Sequence, residues 1–318
     1  MTGPIRVDVH MHLYETKDVG EWWKRGYEIW EYGPKDGVRF SGYSGTVEDA
    51  VDAMETAGFS HGIAVNLFAV ELSRQEAISR IPQGLDGEDR ERAIAEIDAT
   101  LGERYREFNR WLCDALAPFP QLTPFVAADP WVLPPESNAA HLREMAEAGA
   151  RGIKIHPAAQ AFAPSDPRMW VVYETCRELG FAVLSHTGSS KGAEAFAEPA
   201  AFAEMLRRFP DLTVVLAHLG GGSWQQTAEF ARAFPQVSFD LCEIIDWTGA
   251  PNAPSDEQLA ALIRDIGVER VVFGTDFPWY DLDHTVERVM ELPLLSRDEK
   301  EKILGANAVR ILGLSVIP

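Results

Sequence analysis

Val7-Asp8-Val9-His10-Met11-His12 and Val271-Val272-Phe273-Gly274-Thr275-Asp276 decide the fold between them, because each is an apolar β-type run that delivers metal-ligand side chains at its end. On an extended strand, residues two apart share a face, so the His10 and His12 imidazoles point the same way. Three more runs follow this plan: Gly152-Ile153-Lys154-Ile155-His156, Val183-Leu184-Ser185-His186 and Val214-Val215-Leu216-Ala217-His218. Strands are expected near 5–10, 62–67, 122–127, 151–156, 181–186, 213–218, 236–241 and 270–275. Amphipathic stretches at 166–179, 199–209, 223–234 and 256–266 fall between the later strands, as repeated βα units on a parallel sheet require. Eight such units predict an α/β fold, a (β/α)8 TIM barrel in one domain over residues 1–318. An open doubly wound sheet would need a glycine fingerprint after the first strand, and it would not bring five strand ends to one point.

The 318 residues are 46% apolar, enough for one large core. Asp and Glu number 49 against 29 Lys and Arg, a formal charge of −20. That balance repels phosphate backbones and anionic membrane surfaces, so neither nucleic acid nor membrane is an expected partner. No apolar run approaches the length of a membrane span, and the N-terminus shows no export signal. Cys113, Cys176 and Cys242 are widely spaced and form no Cys-x-x-Cys pair, which fits a reducing, cytoplasmic setting.

Two insertions interrupt the βα period. Residues 13–45 read as an aromatic-rich loop (Tyr14, Trp22, Trp23, Tyr27, Trp30, Tyr32, Phe40, Tyr43) that leaves the first strand at its C-terminal end and overhangs the mouth. Residues 70–117 read as charged and helical, either a lid or the surface of a homo-oligomer, a dimer being expected.

Barrel active sites form at the C-terminal ends of the strands, where these His and Asp residues fall. His10, His12, His186 and Asp276 would give three nitrogens and a carboxylate to one divalent metal ion, Zn2+ in the first place, with Mn2+ or Fe2+ also compatible. Such a metal lowers the pKa of bound water or polarises a substrate oxygen. Lone strand-end histidines are usually structural, and His61, His141 and His284 are read so. Asp8 shares the face of His10 and either orients a ligand imidazole or fills a polar layer of the barrel. Gly220-Gly221-Gly222 either turns the chain tightly or cradles a phosphate.

These motifs, with Ala217-His218-Leu219-Gly220-Gly221, Phe273-Gly274-Thr275-Asp276-Phe277-Pro278-Trp279 and the tail from Glu301 through Asn307, resemble the amidohydrolase superfamily in its amidohydrolase-2 branch, which includes aminocarboxymuconate semialdehyde decarboxylase. The resemblance implies that His10, His12, His186 and Asp276 hold the metal, that His218 is an acid–base catalyst, and that Asp276 also accepts a proton. Binuclear relatives carboxylate a lysine at the position of Lys154 to bridge two metals. The decarboxylase-like branch is mostly mononuclear, which makes Lys154 an expected substrate contact; His156, two residues on and on the same strand face, is either a substrate contact or a hydrogen-bond partner of a ligand.

Trp224, Trp247, Trp279 and Tyr280 on later loops suggest a cyclic or flat small-molecule substrate. Arg25 and Arg39 are candidate partners for a substrate carboxylate, and Glu243 is a further mouth residue. The expected function is metal-dependent hydrolysis, with non-oxidative decarboxylation of an aromatic or muconate-like acid as the alternative. A metal-binding regulatory protein is the non-enzymatic reading.

Overall fold

A computed structural model describes residues 5–26, 31–189 and 195–315. Its strands are β1 (Val7–His12), β2 (His61–Val65), β3 (Leu122–Ala127), β4 (Gly152–Ile155), β5 (Ala182–Ser185), β6 (Val214–Leu216), β7 (Ser238–Asp240) and β8 (Val271–Val272). They pair in parallel in chain order, β1 through β8. Contacts between the first strand and the segment after the last close the ring: Val9 N donates to Phe273 O at 3.0 Å, and Met11 bridges Phe277. The chain is therefore a (β/α)8 TIM barrel. β1 runs two residues beyond its expected end, so His12 lies within the strand.

The helices are α1 (Lys17–Gly26), α2 (Val47–Ala57), α3 (Val70–Ser79), α4 (Gly87–Leu116), α5 (Pro135–Glu147), α6 (Pro157–Gln160), α7 (Trp170–Leu179), α8 (Ala203–Arg208), α9 (Thr227–Ala233), α10 (Asp256–Ile266), α11 (Leu282–Glu291), α12 (Arg297–Glu301) and α13 (Asn307–Leu312). Several starts are written locally. Thr46 with Asp49, Ser255 with Gln258 and Ser296 with Glu299 each form a reciprocal capping box. The largest apolar cluster lies between strands and helices, with Met11, Ile153, Val183, Phe239 and Phe273 fully buried. A smaller one joins Val7, Val9, Leu184, Val215 and Val272 to Ala308 of α13.

The first insertion contains α1, where a loop was expected. Val19, Trp22 and Trp23 stand at helical spacing, and Thr16 Oγ1 accepts from Val19 N, so the segment carries both a stripe and a start signal. Tyr27 and Trp30 lie outside the described residues. The second insertion is helical, as expected: α3 and the thirty-residue α4 pack Val70, Leu101 and Tyr105 against Ala127, Val132 and Leu133. None of His61, His141 and His284 lies at a C-terminal strand end: His61 begins β2 and bonds Thr123 Oγ1 at 2.8 Å, and His141 faces Asn109 Nδ2 at 3.2 Å.

α13 is pinned by Asn307, whose buried Nδ2 donates to the carbonyls of Val268 and Val271, both at 2.8 Å. Asn307→Ala removes both bonds, with Val268 O keeping only its bond from Val271 N, and is expected to cost about 1–3 kcal/mol of stability. The shift of the urea midpoint measures it; an unchanged midpoint would show that the carbonyls find other donors.

Candidate metal centre

β1 carries Asp8, His10 and His12 on one face, and the barrel interior receives all three. His10 is 1% exposed and its Nδ1 meets Asp240 Oδ2 at 3.0 Å. A ring whose Nδ1 proton goes to a carboxylate presents the Nε2 lone pair. His10 Nε2 lies 3.4 Å, and His12 Nε2 3.1 Å, from the same Asp276 oxygen, Oδ1. Donors about 2.0–2.1 Å from a tetrahedral metal are separated by roughly 3.3 Å, so the spacing of this nitrogen–nitrogen–oxygen set fits a small divalent cation.

Local backbone geometry aims these side chains. Asp276 adopts φ 59°, His218 φ 61° and Glu243 φ 63°, all left-handed conformations just past strand ends. Gly274 lets the turn before Asp276 approach β1, since a Cβ there would sit 3.0 Å from the His10 Cβ. Asp8 does not reach a ligand ring: it accepts from His10 N at 2.9 Å and from Thr275 N at 3.2 Å, tying β1 to the last strand end. Burial pushes its carboxyl up to about 7. The orienting carboxylate is instead Asp240 of β7, which the sequence reading did not single out.

Burial works against charge on every group here, and neighbours decide the outcome. His10 is lowered to about 4 by burial and by Lys154. For Asp276, burial is outweighed by His10, His12 and His218, which hold its carboxyl well below the usual range. For His218, burial is outweighed by Glu243, Asp240 and Asp276, and its pKa is raised. Unlike the other ring partners, His218 is thus disposed to carry a proton.

The structure does not bring His186 into the group made by His10, His12 and Asp276. His186 lies one ring away: its Nδ1 faces His218 Nε2 at 3.0 Å, and it stacks on His156 with centroids 3.7 Å apart. His156 Nδ1 accepts from Ala159 N and so starts α6. Lys154 is 1% exposed, with Nζ 2.6 Å from His10 Nε2. It competes for the lone pair that a metal would take, and burial lowers its pKa. His218, Glu243 and Asp276 form an adjoining cluster, as do His10, His218 and Cys242.

Above this floor opens a cavity of about 760 Å³ lined by Tyr14, Trp22, Trp23, Phe68, Phe108 and Trp279 among others. Its wall is drawn from α1, α3 and α4, so both insertions border the mouth. Trp279 packs edge-on to His12 at 5.3 Å. Arg25 and Arg39 do not line the cavity: Arg25 is exposed, and Arg39 pairs with Asp281 at 3.1 Å. Loop cations follow solvent and nearby surface acids. The guanidinium that does border the cavity is Arg104 of α4.

The amidohydrolase family model of the second branch, described as amidohydrolase, matches residues 7–314. The chain belongs to the amidohydrolase-2 family. A 2-amino-3-carboxymuconate-6-semialdehyde decarboxylase of Dictyostelium discoideum is 28% identical over 211 residues, 56% of this chain and 58% of that protein's length. Among solved structures, a dihydroxybenzoic acid decarboxylase from a Polaromonas species, with bound manganese and 2-nitroresorcinol, superposes with a TM-score of 0.67 at 17% identity, covering 98% of each chain. A putative 2-pyrone-4,6-dicarboxylic acid hydrolase of Pseudomonas putida gives 0.61 at 20% identity, covering 99% of this chain and 100% of that one. These matches are consistent with metal-dependent hydrolase or carboxy-lyase activity. Among the described residues no helix is long and apolar enough to cross a membrane.

Protein purified without chelator is expected to carry about one divalent metal per chain, and Asp276→Asn and His12→Ala to lose it. Elemental analysis of the purified protein measures both. Two equivalents, with added mass on Lys154, would establish the binuclear arrangement instead.

Proposed function

We propose that this chain is a metal-dependent carboxy-lyase acting on a flat carboxylated substrate. The carrying observation is the polarity gradient of the cavity: imidazoles, Lys154 and carboxylates lie at the floor, and aromatic side chains form the wall. A substrate ring fits between Phe68, Phe108 and Trp279, where an apolar surround favours release of neutral CO2 over retention of a carboxylate. When bound by His10, His12 and Asp276, with His186 completing the set, the metal supplies a Lewis-acid anchor for substrate oxygens.

The chain's own residues supply the rest. The bond from ring carbon to carboxyl carbon breaks, its electron pair stays on the ring carbon, and CO2 departs. A proton must reach that carbon, and His218 is the ring beside the cavity that neighbouring carboxylates dispose to carry one. Lys154 and His156 contact the substrate's polar edge, and Glu243 borders the same floor. Arg104 suits a second acid group at the mouth; Arg104→Ala is expected to raise KM for a diacid without lowering kcat, and an unchanged KM would remove it from substrate binding. The decarboxylase relatives support this reading.

Hydrolysis is the second reading, favoured by Asp276, an ionised carboxylate at the cavity floor that can accept a hydrogen bond from a water and orient it. Assays with dihydroxybenzoates, a carboxymuconate semialdehyde and a pyrone dicarboxylate in 18O-water separate the two. CO2 release with no 18O at a non-exchanging position of the organic product supports decarboxylation; 18O at such a position supports hydrolysis. In either case His218→Asn is expected to keep near-normal metal content while kcat falls roughly 100-fold or more. Loss of metal would make His218 a ligand, and unaltered turnover would make it structural.

A further inference from the structure

Glu31 stands in the strap between β1 and α2, its side chain 9% exposed. Its Oε2 accepts from the backbone N–H groups of Gly222 at 2.7 Å and Ser189 at 3.0 Å, so the loops after β5 and β6 together form an anion-binding nest. The glycines there are required by the carboxylate. A Cβ on Gly188 would lie 2.5 Å from Oε2, and one on Gly221 2.7 Å from it. The Gly220-Gly221-Gly222 run therefore turns the chain and also receives a carboxylate from the chain itself.

The second oxygen, Oε1, lies 3.7 Å from His186 Nε2. The opposite nitrogen of that ring, Nδ1, faces His218. A neutral imidazole offers one N–H and one lone pair, and the partner of one nitrogen selects the role of the other. A carboxylate opposite Nε2 attracts an N–H and repels a lone pair. With Nε2 protonated, the Nδ1 lone pair is the side of the ring that stands 3.0 Å from His218 Nε2.

We propose that Glu31 is a positioning residue for His186, holding its proton on Nε2 so that Nδ1 is presented to the metal. The inference rests on the reading that His186 takes the metal. It is the mirror of Asp240 with His10, where the carboxylate takes Nδ1–H and frees Nε2. Because Glu31 lies on the strap, docking of the strap and metal affinity become one equilibrium.

The test uses the full-length protein, with 15N-histidine NMR on the metal-free form and Zn2+ affinity by calorimetry. Glu31→Gln keeps an oxygen in the nest and turns an amide N–H toward Nε2, so the His186 tautomer is expected to invert and Zn2+ affinity to fall about 10–100-fold. Glu31→Ala is expected to show a similar loss, reversed by millimolar formate filling the nest. A wild-type tautomer and affinity in Glu31→Gln would overturn the proposal, as would a loss in Glu31→Ala that formate does not restore. His186→Ala keeps the two readings apart: normal Zn2+ affinity there refutes His186 as a ligand, whereas loss there with none in Glu31→Gln refutes the role of Glu31 alone.

Discussion

One buried carboxylate organises the centre. Asp240 has no exposed surface, yet its oxygens receive His10 Nδ1, the backbone N–H groups of His218 and Cys242, and the Cys242 thiol. An unpaired carboxylate at that depth would cost several kcal/mol. Its partners more than offset burial, chiefly His10, and its carboxyl is held down to about 2. The same contacts aim two functional groups at once. His10 is rotated so that Nε2 faces Asp276, and the chain after β6 is held in the left-handed turn that carries His218. Remove this charge and both β1 and β6 lose the reason for their local geometry.

Five of the strands were readable because each pairs an apolar run with a chemically distinct end, and the barrel brings those ends together. His10, His12 and Asp276 meet within ion-pair distance although 264 residues (276 − 12) separate the last two. Asp240 was harder to see. Its segment reads as an ordinary strand with one acid, and the available signal was that Asp240 and Cys242 alternate on a face near a strand end. Arg25 and Arg39 illustrate the opposite error, because the path of a long loop, and so the fate of its cations, depends on tertiary contacts that no local pattern encodes. The partners of Glu31 were unreadable for the same reason: the nest exists only when the loops after β5 and β6 lie side by side.

The centre and the wall come from different parts of the chain. Strand ends supply the floor, where positions are fixed by ladder register and by carboxylates beneath the rings. The insertions supply α1, α3 and α4, which determine the shape of the cavity without taking part in the barrel's hydrogen-bond ladder. Loops on a rigid scaffold can change without disturbing it, which separates what the site can bind from what it can do.

His218, Glu243 and Asp276 share a backbone conformation that costs an ordinary residue about 1–2 kcal/mol. Glycine would adopt those angles freely and would carry none of the chemistry. Selection for thermal robustness alone would therefore drift toward a sturdier, inert barrel, and holding three functional side chains in a conformation they resist trades durability for reactivity.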